Sequence, residues 1–246
     1  MPRSDDLFSL NLLLRSLSAE DRALIGPHLT RVPMRRKQTF VAAGERIEHV
    51  YFPEDGVCSI VSGSADTDPT EVGIFGREGV SATALLLDSD RSPHETFVQV
   101  EGSGALRIDT ETYLDLVDRS ATLRRVLIRY VQTVIVQTAQ SAMSNAHHRI
   151  ESRLARWLLM CHDRVDGDEI PLTHEFMSMM IAAQRSGVTV TLHILEGAGM
   201  IRSKRGRVVV LDRAKLEDLA GDGYGQPEAE YRRLIGPFGG EPRPPA

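Results

Sequence analysis

The spacing of apolar residues along the chain changes character several times. Residues 5 to 29 read as short helices, with Ser18 at a helix start, Glu20 and Asp21 behind it, then Leu24 and Ile25. From Arg31 to Ile108 the runs TFVAAG, VYFPEDG, VCSIVSG, EVGIFGREG, TFVQVEG and ALRID are rich in Val, Ile, Phe and Thr and are separated by turn residues. Such evenly punctuated strands predict an all-β barrel, sandwich or roll, with glycines 44, 56, 63, 73, 76, 79, 102 and 104 at turns where positive φ is often needed. After Asp109 there is no glycine until Gly167 and no proline until Pro171, and a helical period takes over. Leu123, Leu127, Tyr130 and Val134 follow a 4-3-4 spacing, which suits packing on the chain's own β domain or along a partner helix. Length favours the partner, because a helix from about Thr122 to Asn145 would outreach a compact neighbour at 1.5 Å per residue. A second helix, RIESRLARWLLMCHDRV, puts Leu154, Leu158 and Cys161 on one face, and DGDE at 166 to 169 ends it.

The stretch LTHEFMSMMIAAQRSGVTVTLHILEGAGMI predicts two helices with a tight corner. Thr173 caps the first, whose Met177, Met180 and Ile181 share a face. Val188, Leu192 and Leu195 bring the second to the same core, leaving Arg185, Thr189 and His193 outside with Ser186 and Val190 beside them. The second helix contains Gly187 and the run Val188, Thr189, Val190, Thr191, poor helix formers, so tertiary packing has to stabilise it. Its low, acid-free outer face suits a DNA major groove about 12 Å wide, and Arg and Gln match the edges of guanine and adenine. The pair reads as a helix-turn-helix, although Ala182 and Ala183 stand where the corner often has glycine. The next stretch, MIRSKRGRVVVLD, predicts a hairpin around Arg205 and Gly206. From Gln184 to Lys215 the basic residues are Arg185, Arg202, Lys204, Arg205, Arg207, Arg213 and Lys215, against Glu196 and Asp212. Thr173, His174, Arg202, Lys204, Arg205 and Arg207 are therefore assigned to phosphate contact, and Gln184, Arg185, Ser186, Thr189 and His193 to base reading.

The chain has 246 residues, enough for one large domain or two small ones, and its net charge of -5 leaves room for this local basic patch. Cys58 and Cys161 are too far apart in sequence to suggest a metal motif or disulfide framework, which fits a reducing cytoplasm. The start MPRSDDLFSLNLLLRSLS lacks the basic region and cleavage site of a signal peptide, and no stretch approaches the ~20 apolar residues of a membrane span. A soluble cytoplasmic protein without membrane association is expected. Catalysis is not expected. His147 and His148 point in different directions on a helix, Cys161 lies with Leu154 and Leu158, and GIFGREG lacks the Lys-Ser/Thr of a phosphate loop. No metal or other cofactor is assigned. Residues 221 to 246, rich in Gly and Pro, are expected to be flexible, with YRRLIGPF their only apolar patch.

The order of β-rich domain, long helix, helix-turn-helix and basic hairpin resembles the Crp/Fnr family of bacterial transcription regulators across nearly the whole chain. The most specific match is LTHEFMSMMIAAQRSGVTVTLHILEGAGMI, with its Leu-Thr start, Arg185 opening the recognition helix and the closing Leu-Glu-x-x-Gly-Met-Ile; ESRLARWLL is similar to the family's preceding helix. The resemblance implies an α+β fold: a double-stranded β-roll like a cyclic-nucleotide-binding domain over 1–121, a dimerisation helix over 122–147 with Leu123, Leu127, Tyr130 and Val134 at its seam, and a winged helix-turn-helix over 148–220. It implies a homodimer on palindromic double-stranded DNA, with the hairpin as wing. RNA polymerase or the body of the protein is the dock considered for Tyr231, Leu234, Ile235 and Phe238.

The chain departs from the cyclic-AMP-binding members. Their cassette has a Gly-Glu pair for the ribose and an Arg-Ser/Thr-Ala segment for the phosphate. Here Glu78 precedes Gly79, and His94, Glu95 and Thr96 stand near the place of the arginine, with Arg77 and Arg91 as the candidate substitutes. Cyclic-AMP dependence is not expected, because a buried phosphate would lack a fixed cation. The cysteine cluster of oxygen-sensing members is missing before Cys58, and His28, His49 and His94 are haem ligand candidates by residue type alone. No effector is identified. The competing reading is a small-molecule sensor or protein-interaction module whose helix-turn-helix does not bind specific DNA.

Overall fold

The computed structural model describes residues 10–64 and 67–239; the side chains of residues 64, 67–69, 174 and 175 lie outside that description, as do residues 5–9 of the expected N-terminal helices. The chain enters through α1 (Leu12–Arg15) and α2 (Ala19–Ile25). Ser18 caps α2, its hydroxyl accepting from the Asp21 N–H at 3.1 Å. Asn11 caps α1 and also donates from Nδ2 to the carbonyls of Pro53 and Gly79, which ties the entry to the β domain.

Seven strands follow: β1 (Thr30–Met34), β2 (Thr39–Val41), β3 (His49–Pro53), β4 (Val57–Ser64), β5 (Thr67–Phe75), β6 (Glu95–Val100) and β7 (Gly102–Asp109). They form two antiparallel sheets, β1-β7-β3 and β2-β6-β4-β5, a pairing order that strand spacing does not reveal. Met34, Phe52, Phe75, Val98 and Leu106 fill the core between them. Gly44 and Gly56 take the positive φ expected at turns, 76° and 78°.

Helix α3 (Thr110–Arg119) leads to α4 (Ala121–His147), 27 residues or about 40 Å long. The expected dimer seam does not face outward. Leu123, Leu127 and Tyr130 are at most 2% exposed and lie with Val134 in the core of the chain's own β domain. The β domain captures this face because it is apolar at each of these positions, whereas the opposite stripe is interrupted by Gln132 and alanines. Ile128 and Ile135 project from the other side, 45% and 57% exposed.

After a break at His148 the chain forms α5 (Ile150–His162), β8 (Glu169–Ile170), α6 (His174–Met180), α7 (Arg185–Gly197), β9 (Ile201–Lys204), β10 (Arg207–Val210) and α8 (Arg213–Ala220). The strands make a small sheet, β8-β10-β9. Leu154, Leu158, Met177, Val188, Leu192 and Leu195 form a second core, which Val57, Val61, Ile74 and Val100 of the β domain enter. Polar bonds cross the same boundary: Trp157 Nε1 donates to Glu71 at 2.8 Å, and Arg164 donates to Glu78.

The expectation of a flexible tail over 221–246 is corrected for residues 221–239. A 3-10 turn (Gly221–Gly223) leads to α9 (Gln226–Leu234), which packs along α4. Tyr231 and Phe238 are buried in the β-domain core. Their aromatic area outweighs the local Gly and Pro content because the surface that receives them comes from distant elements.

Candidate nucleic-acid interface

The helix pair α6 and α7 is built as its apolar spacing predicts. Thr173 caps α6, its hydroxyl accepting from the Phe176 N–H at 3.3 Å, and Met177, Met180 and Ile181 are buried. The corner is made without glycine: Ala182 takes a left-handed φ of 47°, and its carbonyl accepts from Arg153 Nη2 at 3.2 Å. Gly187 in the first turn of α7 is explained by proximity, since a Cβ there would stand 3.2 Å from Ile150 Cδ1. The β-branched Val188 and Thr191 are buried with Leu192 and Leu195, so packing on α5 and α6 holds a helix of low intrinsic propensity.

Burial divides α7 cleanly. Gln184, Arg185, Ser186 and His193 are exposed on one side, with Thr189 half-buried and its hydroxyl donating to the Arg185 carbonyl at 3.0 Å. Val190 and Ile194 share this outer side, 59% and 49% exposed. Neither is among the base-reading candidates, and their signal is exposure of apolar groups that the inner core does not need. Glu196 sits to one side and accepts from the Ser203 N–H at 3.0 Å, fixing β9 to α7.

The hairpin is β9 and β10, with Lys204 opposite Arg207 and Arg205-Gly206 as the connection; Gly206 has φ 77°, a conformation that favours glycine. Arg202, Lys204 and Arg205 are exposed. Arg207 pairs with Glu169 at 2.9 Å and is partly neutralised. Arg213 is drawn inward, bonded to Asp163, Glu217 and Tyr224, and Lys215 lies 3.4 Å from Asp212. The basic surface is therefore smaller than the residue count suggests. It is centred on Arg185, Arg202, Lys204 and Arg205. The side chain of His174 is outside the described residues.

A second feature lies inside the β domain, a cavity of about 220 Å³ against α4. Val41, Ile60, Phe75 and Val80 line it with Ser92, His94, Thr96 and Thr138, and among the described residues no arginine, lysine or carboxylate does. His94 Nδ1 is buried with no hydrogen-bond partner among the described residues. Arg77 instead pairs with Asp166 at 2.8 Å, and Arg91 is exposed beside Asp90. Glu78 is taken by Arg164. His148 is held by Ser144 and Asp222, and His162 by Asp168 and Arg213. Cys161 is fully buried, and burial pushes its thiol pKa up. Among the described residues no His, Cys, Asp and Glu group that could hold a metal ion forms, and no helix is long and apolar enough to cross a membrane.

Comparison with known proteins fits this geometry. Residues 152–219 match the Crp-like helix-turn-helix domain family. The chain carries a Crp-like helix-turn-helix domain on the Crp/Fnr fold. Solved structures align over most of it. A CRP-family transcriptional regulator of Thermus thermophilus aligns with TM-score 0.65 and 21% identity over 78% of this chain and 96% of that one. FixK2 of Bradyrhizobium japonicum gives 0.65 and 15% over 78% and 98%. A CRP/FNR-family regulator, also of Thermus thermophilus, gives 0.59 and 15% over 78% and 98%. No curated protein matches the sequence. The clamp formed by residues 221–239 lies beyond the matched domain.

Proposed function

We propose that this protein regulates transcription by binding a palindromic DNA site as a homodimer, without cyclic AMP. The observation that carries the reading is the exposed outer face of α7, whose one carboxylate, Glu196, is occupied by the Ser203 N–H and so ties the helix to a basic hairpin within a Crp-like domain. Arg185 with Gln184, Ser186, Thr189 and His193 reads base edges, while Arg202, Lys204 and Arg205 contact phosphates. Arg207 adds less, because Glu169 already faces it.

The dimer reading is supported by a stripe on α4 different from the expected one. Ile128, Gln132, Ile135, Ala139 and Ala142 are all exposed and follow a 4-3-4-3 spacing, the period of two helices packed side by side. Dimerisation through this face would place two copies of α7 on one duplex, about 34 Å apart for successive major grooves. Independence of cyclic AMP is supported by the cavity lining, which offers no cation to a phosphodiester.

The test is binding of the purified protein, with nothing added, to a randomised DNA pool, followed by sequencing and a salt titration of the enriched site. Enrichment of a palindrome is expected. Arg185→Ala should relax preference at one position per half-site at a cost of roughly 1 to 3 kcal/mol, while Lys204→Ala should weaken all sequences alike and flatten the salt dependence. Salt-sensitive binding without enrichment would favour the sensor or interaction-module reading, and a palindrome that appears only with cyclic AMP would refute nucleotide independence.

A further inference from the structure

We propose that Val190 is a base-reading residue that takes the C5-methyl group of a thymine in each half-site, with Ile194 extending the same apolar strip along α7. The assignment rests on the DNA-binding reading above. Val190 and Ile194 are 59% and 49% exposed, four residues apart, beside Ser186 and His193 on the exposed half of α7. The fold does not need them there. The inner side of α7 is already filled by Val188, Thr191, Leu192 and Leu195, all buried.

The surroundings specify the occupant. No carboxylate neighbours the strip on the helix, Glu196 being on the Arg185 side and bonded to Ser203, and the hairpin fixed to that helix presents Arg202, Lys204 and Arg205. That charge suits the phosphate walls of a groove, with the apolar strip aimed at its floor. Thymine is the base whose major-groove edge carries a methyl group, so an apolar side chain discriminates it without hydrogen bonds. Val190 is five residues beyond Arg185, about 7.5 Å along the helix, which corresponds to about two base-pair steps. Val190 also points about 140° away from Arg185 around the helix, so the thymine is expected at a different base pair from the one that Arg185 reads.

The measurement uses the full-length protein and the site enriched from the random pool. Each thymine is replaced in turn by uracil, which removes the methyl and leaves base pairing intact. Wild-type affinity should fall about fourfold for a single such replacement, the factor corresponding to one buried methyl at ~0.8 kcal/mol, and about sixteenfold when both half-sites carry it. Val190→Ala should bind the thymine and uracil forms equally at that position, while Arg185→Ala should keep the wild-type ratio. The Val190 side chain is exposed and alanine is the better helix former, so folding of the variant is not at issue. Enrichment of a site that is insensitive to uracil at every position would overturn the methyl assignment and leave DNA binding standing. So would a Val190→Ala protein with the wild-type thymine-to-uracil ratio. A protein that enriches no sequence would overturn both readings.

Discussion

Arg164 and Glu78 form a buried ion pair that joins the helix-turn-helix domain to the β domain. Arg164 Nε and Nη2 lie 3.0 and 2.7 Å from Glu78 Oε1, and the two side chains are 1% and 4% exposed. Each side chain has a further anchor: Arg164 Nη1 donates to the Met160 carbonyl at 2.6 Å, and Glu78 Oε2 accepts from the Gly76 N–H at 3.0 Å. Burial opposes the charge on Arg164, but the carboxylates of Glu78, Asp163 and Glu228 outweigh it and raise its pKa. Removing one partner strands the other in a medium that solvates it poorly. Arg164→Ala should therefore lower stability by about 3–5 kcal/mol, whereas Arg164→Met combined with Glu78→Gln should recover most of the loss. Urea unfolding of the two variants beside the wild type checks the ordering.

Glu71 and Trp157 cross the same boundary and predict a pH dependence. Burial is the main cause that pushes the Glu71 pKa up to about 8, against the lowering effect of hydrogen bonds from Ser59 and Trp157 and of the Arg156 and Arg164 charges. The unfolded value is near 4.3. The folded state thus binds the Glu71 proton more tightly, and this contribution is complete below about pH 4, then lost as pH rises towards and through 8. Between about pH 5 and pH 9 the loss should be on the order of 2–4 kcal/mol. Glu71→Gln should flatten that slope and unfold later than the wild type at about pH 9. Thermal melts across the range decide it: parallel pH profiles for the two proteins would contradict a neutral Glu71.

The C-terminal clamp should be a stability element. Tyr231 donates its hydroxyl to the Glu78 carbonyl at 2.8 Å, Phe238 lies under the Arg164 guanidinium, Arg129 donates to the Leu234 carbonyl, and Gln140 donates to the Asp222 carbonyl. The segment touches α4, α5 and Glu78 in the loop after β5 together, so it braces the two domains against each other. Deletion after Gly225 should cost on the order of 6 kcal/mol, about 3 for the lost burial of each of two aromatic side chains. It should also speed protease cleavage around His148, where α4 ends. Unchanged melting and cleavage would show that the clamp adds nothing to stability.

Local periodicity made most elements legible. The inner and outer sides of α7 follow directly from Val188, Leu192 and Leu195, and the hairpin from its β-rich arms around Arg205-Gly206. What depended on distant partners was not legible. Arg207 and Arg213 look like free cations until Glu169 and Asp163 arrive from other elements. The tail looks disordered until a receiving surface exists for Tyr231 and Phe238. Helix α4 contains two stripes with the same spacing. One is built from Leu, Tyr and Val, and the other is diluted by Gln132, Ala139 and Ala142. Hydrophobicity picks the first, and the β domain has already claimed it.

The two stripes predict opposite phenotypes. Leu127 is 1% exposed in the chain's own core, and truncating it to alanine should open a cavity costing about 2–5 kcal/mol in each protomer. Ile135 is 57% exposed, so Ile135→Glu should leave protomer folding within about 0.5 kcal/mol of the wild type. If α4 pairs with its counterpart in a second copy, two glutamates at this position would face each other across the axis, and both desolvation and repulsion would oppose association. Sedimentation should then show a folded monomer, and affinity for the palindrome should fall while single half-site binding persists. A fully dimeric Ile135→Glu protein would remove the exposed stripe from the interface and require the two copies to meet elsewhere.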